Sequence, residues 1–141
     1  MPIAGRKPKP QGQAVNRNKP AHEWTEVANV PFESAPPLPE TKPNGDPWSS
    51  STQRWWTAIS TMPHCTLWSD SDWMFAEHTA RLVAAFDAGD FKQATEIRQR
   101  EKKLGVTADD RRDLRIRYVD PKAEAEAAGD NVTSLDDYRD L

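Results

Sequence analysis

Residues Ser69–Gly105 read SDSDWMFAEHTARLVAAFDAGDFKQATEIRQREKKLG, and this stretch decides the fold. Ser69, with Asp72 three residues further on, is typical of a helix start. A second helix is predicted to begin after Asp90 and to end at Gly105, because aspartate favours N-caps and glycine favours the position after a helix. Only a glycine and Asp90 separate the two helices, which predicts an antiparallel hairpin.

Further elements are predicted on both sides of the hairpin. A helix over residues 50–62 follows a run of serines and ends before Pro63. A short element opens at Thr107, with Asp110 placed to complete a capping box. Apolar residues alternate over residues 114–118, a spacing that fits either the end of a helix or a short strand.

Prolines divide the chain into an arm and a body. Ten of the twelve prolines lie at or before Pro47, where they remove backbone donors from a segment with few apolar residues. We therefore predict a disordered, proline-rich arm over residues 1–47, a helical oligomerisation core over residues 48–120 and an acidic tail over residues 121–141. The expected fold class is mainly α, with a helical hairpin core in a ring-forming oligomer.

The predicted core is small for a stable domain. A body of about 70 residues buries too little surface to be more than marginally stable alone. The single cysteine, Cys65, excludes disulfide stabilisation and suits a reducing cytoplasm. Five tryptophans in the body indicate a buried subunit interface, although a tight aromatic core within one chain would also accommodate them. These are Trp48, Trp55, Trp56, Trp68 and Trp73.

The net charge of −3 conceals a strong segregation of charge. Residues 21–47 and 121–141 each balance to −4, whereas residues 48–120 are neutral. Residues 1–20, called here the basic segment, balance to +5 without any acid. Such a segment beside a neutral body favours a polyanion partner, most often nucleic acid, over a merely solubilising tail. Its bases are Arg6, Lys7, Lys9, Arg17 and Lys19.

A second candidate DNA-binding surface lies in the C-terminal half of the body. Pairs of bases four residues apart fall on one helical face and can form a basic ridge for phosphates. The alternative is a solvated face with internal ion pairs, such as Glu96 with Arg100, and the sequence leaves both open. The candidate ridge consists of Arg98, Lys102, Arg111 and Arg115.

The sequence contains no motif for catalysis or for a cofactor. No Walker-type glycine loop is present to hold ATP phosphates. His64 and Cys65 are adjacent, but nothing nearby orients the imidazole as a triad requires, and the histidines lack metal-ligand spacing. No apolar run approaches the roughly 20 residues of a membrane span, and the N-terminus does not resemble a signal peptide. We expect a soluble, intracellular, non-enzymatic protein that uses no cofactor and no metal.

The acidic tail contains a candidate partner-binding motif. Ser134 can cap a short helix that presents Leu135, Tyr138 and Leu141 at a spacing of three, with aspartates between them. Such a segment suits docking into a groove on a partner protein. A disordered solubility tail is the alternative on composition.

Six stretches of the chain form a recognisable set: Gly5–Pro10 (GRKPKP), His22–Val27 (HEWTEV), Thr52–Trp56 (TQRWW), Ser71–Trp73 (SDW), Glu96–Gly105 (EIRQREKKLG) and Asp113–Tyr118 (DLRIRY). They resemble the terminase small subunits of tailed phages, especially of phages that infect actinobacteria. The likeness covers nearly the whole chain up to Tyr118, and its most specific part is formed by the last two stretches.

The resemblance implies a helical subunit, assembled into a closed ring, that recognises viral double-stranded DNA and regulates the ATPase and nuclease of the large terminase subunit. The portal is a further candidate partner. It also implies action in the cytoplasm of the bacterial host and no lasting place in the mature virion. Many members carry an N-terminal helix-turn-helix, from which this chain departs because its first 47 residues are too proline-rich. A small DNA-binding transcriptional regulator and an adaptor or scaffold protein that binds no DNA are the alternative functions.

Overall fold

The computed structural model describes residues 23–122, which are mainly helical, as predicted, with one small sheet. The α-helices of this part are α1 (Ser50–Ser60), α2 (Asp70–Asp87), α3 (Ala94–Leu104) and α4 (Ala108–Asp113). The 3₁₀ helices Pro63–Leu67 and Phe91–Gln93 precede α2 and α3. The strands are β1 (Thr25–Ala28) and β2 (Ile116–Val119), so the chain enters and leaves the described body through the sheet.

The predicted hairpin of α2 and α3 is confirmed. At its closed end, the rings of Phe86 and Phe91 meet edge to face with centroids 5.3 Å apart. At its open end, the Arg100 guanidinium lies 5.0 Å from the centroid of the Phe75 ring, so the two helices run antiparallel. Gly105 ends α3 with a φ of 70°, the left-handed conformation that glycine adopts readily.

Side-chain caps define the starts of α2 and α4. The Ser69 N–H donates to the Asp72 carboxylate at 2.9 Å, and the Asp110 N–H donates to the Thr107 hydroxyl at 3.1 Å, as predicted. The prediction that Asp90 caps α3 is wrong, because a 3₁₀ helix follows Asp90 and α3 begins only at Ala94. The Asp90 carboxylate accepts from the side-chain amide three residues on and caps no backbone N–H of that 3₁₀ helix.

Helix α1 ends at Ser60, two residues before the predicted Met62. A residue that precedes proline is pushed out of the helical region by a clash with the proline ring. Met62, which precedes Pro63, accordingly has an extended ψ of 135°. The helix therefore stops, and a 3₁₀ helix leads the chain toward α2.

The sheet decides between helix and strand for residues 114–118, since β2 begins at Ile116. β2 pairs in parallel with β1 in a register that sets Thr25 beside Ile116 and Val27 beside Tyr118. Arg115 adopts a left-handed φ of 57° and turns the chain out of α4. Its carbonyl accepts from the Thr25 N–H at 2.8 Å, which anchors the start of β1 beside the end of α4.

The ordered body begins well before the predicted boundary at residue 48. β1 lies within the segment predicted to be disordered, the Phe32 ring stacks on Trp73 with centroids 5.9 Å apart, and Trp48 Nε1 donates to the Pro39 carbonyl at 2.8 Å. Prolines are compatible with this path because an edge strand and its flanks need few backbone donors. The prediction of disorder is therefore wrong for residues 23–47, and residues 1–22 lie outside the described part.

The five tryptophans of residues 48–120 belong to one aromatic core within one chain. Trp48 and Trp56 are buried, and the other three are half-buried around them. The closest pair is Trp68 and Trp73, whose rings meet edge to face with centroids 4.7 Å apart. This is the single-chain aromatic core that the sequence left open, so the number of tryptophans does not by itself require a subunit interface.

His64 connects three parts of the body. Its ring is buried, and Nε2 lies 2.7 Å from the Leu104 carbonyl at the end of α3. Because a carbonyl only accepts, Nε2 carries the proton, and Nδ1 accepts from the Tyr118 hydroxyl at 2.6 Å. The ring thereby ties its own 3₁₀ helix to both α3 and β2. Burial lowers the pKa of His64, and the nearby charge of Arg111 acts in the same direction.

We expect the protein to lose stability as the pH falls below 6.5, the ordinary pKa of histidine. Because the pKa of His64 is lower in the folded state, the unfolded chain binds the additional proton first, and stability is lost from that pH downward. Urea unfolding between about pH 7.5 and pH 5.5 should show a falling midpoint. In His64→Gln the midpoint should be lower at the higher pH and depend less on pH, and an unchanged pH dependence would contradict this role of His64.

Candidate nucleic-acid interface

The structure places the members of the predicted basic ridge on different surfaces. Arg98 and Lys102 lie exposed on one face of α3, as their spacing predicts. Arg111 is half-buried and is not part of this face, and Arg115 lies in the turn before β2. Arg98 and Lys102 line a groove together with Arg112, a residue that the sequence did not single out.

Arg111 is engaged in structural contacts. Its Nη1 donates to the carbonyl of Gly105 at 3.1 Å and to the carbonyl of Val106 at 2.9 Å, directly after α3. Its guanidinium lies 5.0 Å from the centroid of the Tyr118 ring, within cation–π range. A phosphate would compete with these contacts, so the role predicted for Arg111 in DNA binding carries a structural cost.

Ion pairs neutralise part of the basic surface. The predicted pair of Glu96 and Arg100 is present at 2.9 Å, and Arg112 pairs with Asp109 at 3.1 Å. Within residues 23–122, Arg98 and Lys102 form no such pair. Both interpretations of the sequence are therefore represented, since Arg100 and Arg112 are ion-paired whereas Arg98 and Lys102 are not paired with another described residue.

The groove has a volume of about 910 Å³. All four α-helices or their flanking turns contribute to it. Its apolar lining includes Trp55, Val83, Phe86 and Ile97, and its basic residues are Arg98, Lys102 and Arg112. Its acidic residues are Asp87, Glu101, Asp109, Asp110 and Asp113. Five acids against three bases leave the lining with an excess of negative charge.

The chain enters the body beside a stacked pair of side chains. The Arg117 guanidinium lies 4.8 Å from the Trp24 ring and its Nη1 lies 3.8 Å from a carboxylate oxygen of Glu26. The Trp24 side chain is 40% exposed. The five bases of the basic segment, and the tail residues Leu135, Tyr138 and Leu141, lie outside the described residues.

His64 and Cys65 do not act on one another. Both ring nitrogens of His64 form hydrogen bonds, with the Tyr118 hydroxyl and the Leu104 carbonyl. The Cys65 thiol donates to the Ile59 carbonyl at 3.1 Å. Burial raises the pKa of the Cys65 thiol to about 12, so the reactive thiolate is scarce at neutral pH. Among residues 23–122, no three His, Cys, Asp or Glu side chains are grouped so that they can hold a metal ion, and no helix there is long and apolar enough to cross a membrane.

Comparison with known proteins identifies one family. The family model of the phage terminase small subunit matches residues 3–141. Comparisons with curated proteins and with solved structures gave no match. The family match spans nearly the entire chain, including the basic segment and the acidic tail.

Replacement of Arg111 by alanine should lower the free energy of unfolding by roughly 1–3 kcal/mol, because two carbonyls lose a charged donor. Arg98→Ala is the matched control: its side chain is exposed, so the expected change is within about 0.5 kcal/mol. Urea unfolding of both variants measures the difference. Equal stability of the two variants would refute the structural role of Arg111.

Proposed function

We propose, since the chain belongs to the phage terminase small subunit family, that it binds viral double-stranded DNA, initiates genome packaging and regulates the large terminase subunit. The observation that carries this proposal is the family match over residues 3–141. ATP hydrolysis and DNA cleavage would then belong to the large subunit, and this chain would act without catalysis. We place this activity in the host cytoplasm during packaging, with no lasting role in the virion.

DNA binding is assigned primarily to the basic segment. Its five bases occur without any acid, so its attraction for phosphates is not offset locally. Prolines at positions 8, 10 and 20 restrict its backbone and so reduce the entropy lost on binding. Contacts of this kind position a protein on DNA without reading its sequence. We therefore expect the basic segment to supply affinity over many sequences.

The rival surface is the basic ridge on the helical body. Arg98 and Lys102 support it, because both are exposed and form no ion pair within residues 23–122. The negative charge of the neighbouring groove opposes it, since acids repel the phosphates that the two bases attract. Arg111 and Arg115 stay predicted contacts of this second surface.

We further propose that the subunits assemble head to tail into a closed ring. Such an interface generates a ring when its rotation closes. Exposed apolar side chains on the hairpin support an interface there: Phe91, at its closed end, is 71% exposed and Met74, near its start, is 59% exposed. A ring repeats the basic segment once per subunit, so weak single contacts combine through a high effective concentration.

The acidic tail is assigned to a protein partner. Leu135, Tyr138 and Leu141 would contact the large terminase subunit, with the portal as the second candidate. The tail balances to −4, which opposes contact with DNA. DNA and the protein partner would thus bind to opposite ends of one chain.

Replacement of Arg6, Lys7, Lys9, Arg17 and Lys19 by alanine should weaken DNA binding over all sequences and flatten its dependence on salt. Each lost phosphate contact lowers the slope of log affinity against log salt by about 0.9 on duplex DNA. The comparison variant replaces Arg98, Lys102 and Arg115 and retains Arg111, because the Arg111 side chain bonds to two backbone carbonyls. Fluorescence anisotropy with duplex DNA at several salt concentrations provides the measurement.

Light scattering of each variant first establishes that its assembly is that of the wild type. The assignment to the basic segment fails if that variant keeps the wild-type affinity and slope while the ridge variant loses them. In that case the helical body binds the DNA. If the wild type itself binds no duplex DNA at low salt, the proposed function is wrong.

Deletion of residues 130–141 should leave the assembly intact and weaken binding to the large terminase subunit, because the three apolar contacts of the tail are lost. Light scattering at micromolar concentration measures the assembly, and titration against the purified large subunit measures binding. A replacement of Asp136, Asp137 and Asp140 by asparagine serves as the control that retains the apolar residues. A monomeric wild type would contradict the ring, and unchanged affinity after deletion would contradict the role of the tail.

A further inference from the structure

Two acidic side chains of the groove form no ion pair with another described residue. Asp109 pairs with Arg112, and Asp87 accepts from the Thr52 hydroxyl at 2.7 Å. Glu101 and Asp113 form no ion pair within residues 23–122. Burial raises the pKa of Glu101, and the nearby Asp110 raises it further, so the charged form of Glu101 is poorly stabilised. The five acids of the lining still outnumber its three bases, so a further cationic side chain beside Glu101 and Asp113 would be favourable.

The lining of the groove also suits proline. Trp55 and Phe86 provide aromatic surface, with Val83 and Ile97 beside them. Proline-rich segments dock onto aromatic-lined grooves because their extended backbone is already restricted before binding. An occupant with prolines and bases matches both the aromatic lining and the acidic side chains.

Residues 7–10 of the chain have this chemistry. They read Lys-Pro-Lys-Pro, so that bases and prolines alternate. The basic segment as a whole balances to +5, opposite in sign to the groove, whereas residues 121–141 balance to −4 and would be repelled. Charge therefore selects the N-terminal end of the chain over the C-terminal end.

The fold places the start of β1 beside the groove. The Thr25 N–H bonds to the Arg115 carbonyl at 2.8 Å, and Asp113, which lines the groove, lies two residues before Arg115. The Cα atoms of Asp113 and Arg115 are therefore at most about 7.6 Å apart. The basic segment can extend to roughly 60 Å or more, so it reaches all of a groove that opens within a few residues of its attachment.

The parallel sheet carries the C-terminal end away from the same place. β2 starts beside Thr25 and runs to Val119, which lies beside Ala28 at the other end of the sheet. Four residues of strand cover about 10 Å. The chain therefore leaves the sheet at the end of β2 about one strand length further from α4 than the start of β1. Topology and charge agree in favouring the N-terminal occupant.

We propose that the basic segment of each subunit docks into the groove of the same subunit, with Pro8 and Pro10 on the aromatic lining and Lys7 and Lys9 beside Glu101 and Asp113. The groove and DNA then compete for one segment. The competition rests on the proposed DNA-binding function, whereas the docking does not. Docking lowers the apparent DNA affinity, because the intrinsic affinity is multiplied by the fraction of subunits whose segment is free.

Zero-length cross-linking of the full-length protein tests the docking. A carbodiimide joins a lysine amine to a carboxylate that it contacts, with loss of water, and mass spectrometry identifies the joined peptides. We expect links from Lys7 or Lys9 to Glu101 or Asp113, and fewer links after duplex DNA is added. Lys7→Arg with Lys9→Arg keeps the charge but removes the amines, so it should abolish these links.

Mixing subunits with and without ¹⁵N labelling shows whether each link joins one chain or two. Docking within the subunit is refuted if the links join only different chains, if they are absent, or if they are equally frequent to Glu33 and Glu40, which are exposed acids outside the groove. Links that persist unchanged with DNA bound would refute the competition.

A second measurement uses DNA affinity. Glu101→Gln with Asp113→Asn should strengthen DNA binding about fivefold if the segment is docked about four-fifths of the time. The matched control is Glu33→Gln with Glu40→Gln, which removes the same charge elsewhere and should have a smaller effect. Equal effects of the two variants would refute the competition. DNA binding without any cross-link would refute the docking alone, and cross-links without DNA binding would refute only the DNA-binding function.

Discussion

The contact between the His64 ring and the Leu104 carbonyl is the one on which the rest of the body depends. It requires glycine at position 105, because a Cβ there would lie 2.9 Å from His64 Nε2, closer than such atoms approach. Gly105 also adopts the left-handed φ that ends α3. Tyr118 completes the contact from β2, so the hairpin and the sheet cannot shift independently. The point at which the N-terminal segment joins the body is thereby fixed relative to α4.

The sequence predicts those parts of the fold whose causes are local. The caps at Ser69 and Thr107 and the stop at Gly105 each depend on residues within a few positions, and all three are found. The pairing of Thr25 with Ile116 joins residues 91 positions apart, and no local pattern specifies such a register. The proline content of residues 23–47 predicted disorder because β1 is stabilised by β2, a strand that is distant in the sequence.

The candidate interface is harder to predict from sequence than the helix ends, because it also depends on contacts between residues that are far apart in the chain. The four-residue spacing correctly places Arg98 and Lys102 on one face, since both belong to one helix. The spacing of Arg111 and Arg115 suggested a continuation of that face, but α4 ends at Asp113 and Arg115 lies in a left-handed turn. Arg111 then meets carbonyls beyond α3 that only the tertiary fold brings near it. No sequence pattern predicts the groove, because its lining comes from several helices.

The parallel pairing of β1 and β2 has a consequence for the two ends of the chain. In an antiparallel pair, the segment before β1 and the segment after β2 would leave the sheet at the same end. In the parallel pair, the start of β1 lies beside the start of β2, and the two segments leave at opposite ends. Their charges, +5 over residues 1–20 and −4 over residues 121–141, would attract each other if they left together, and neither would then be free for a partner. Separation by a strand length of about 10 Å, comparable to the Debye length at physiological salt, weakens that attraction where the two segments begin. The sheet thus weakens the mutual attraction of the two segments where they begin, which agrees with the separate partners proposed for them.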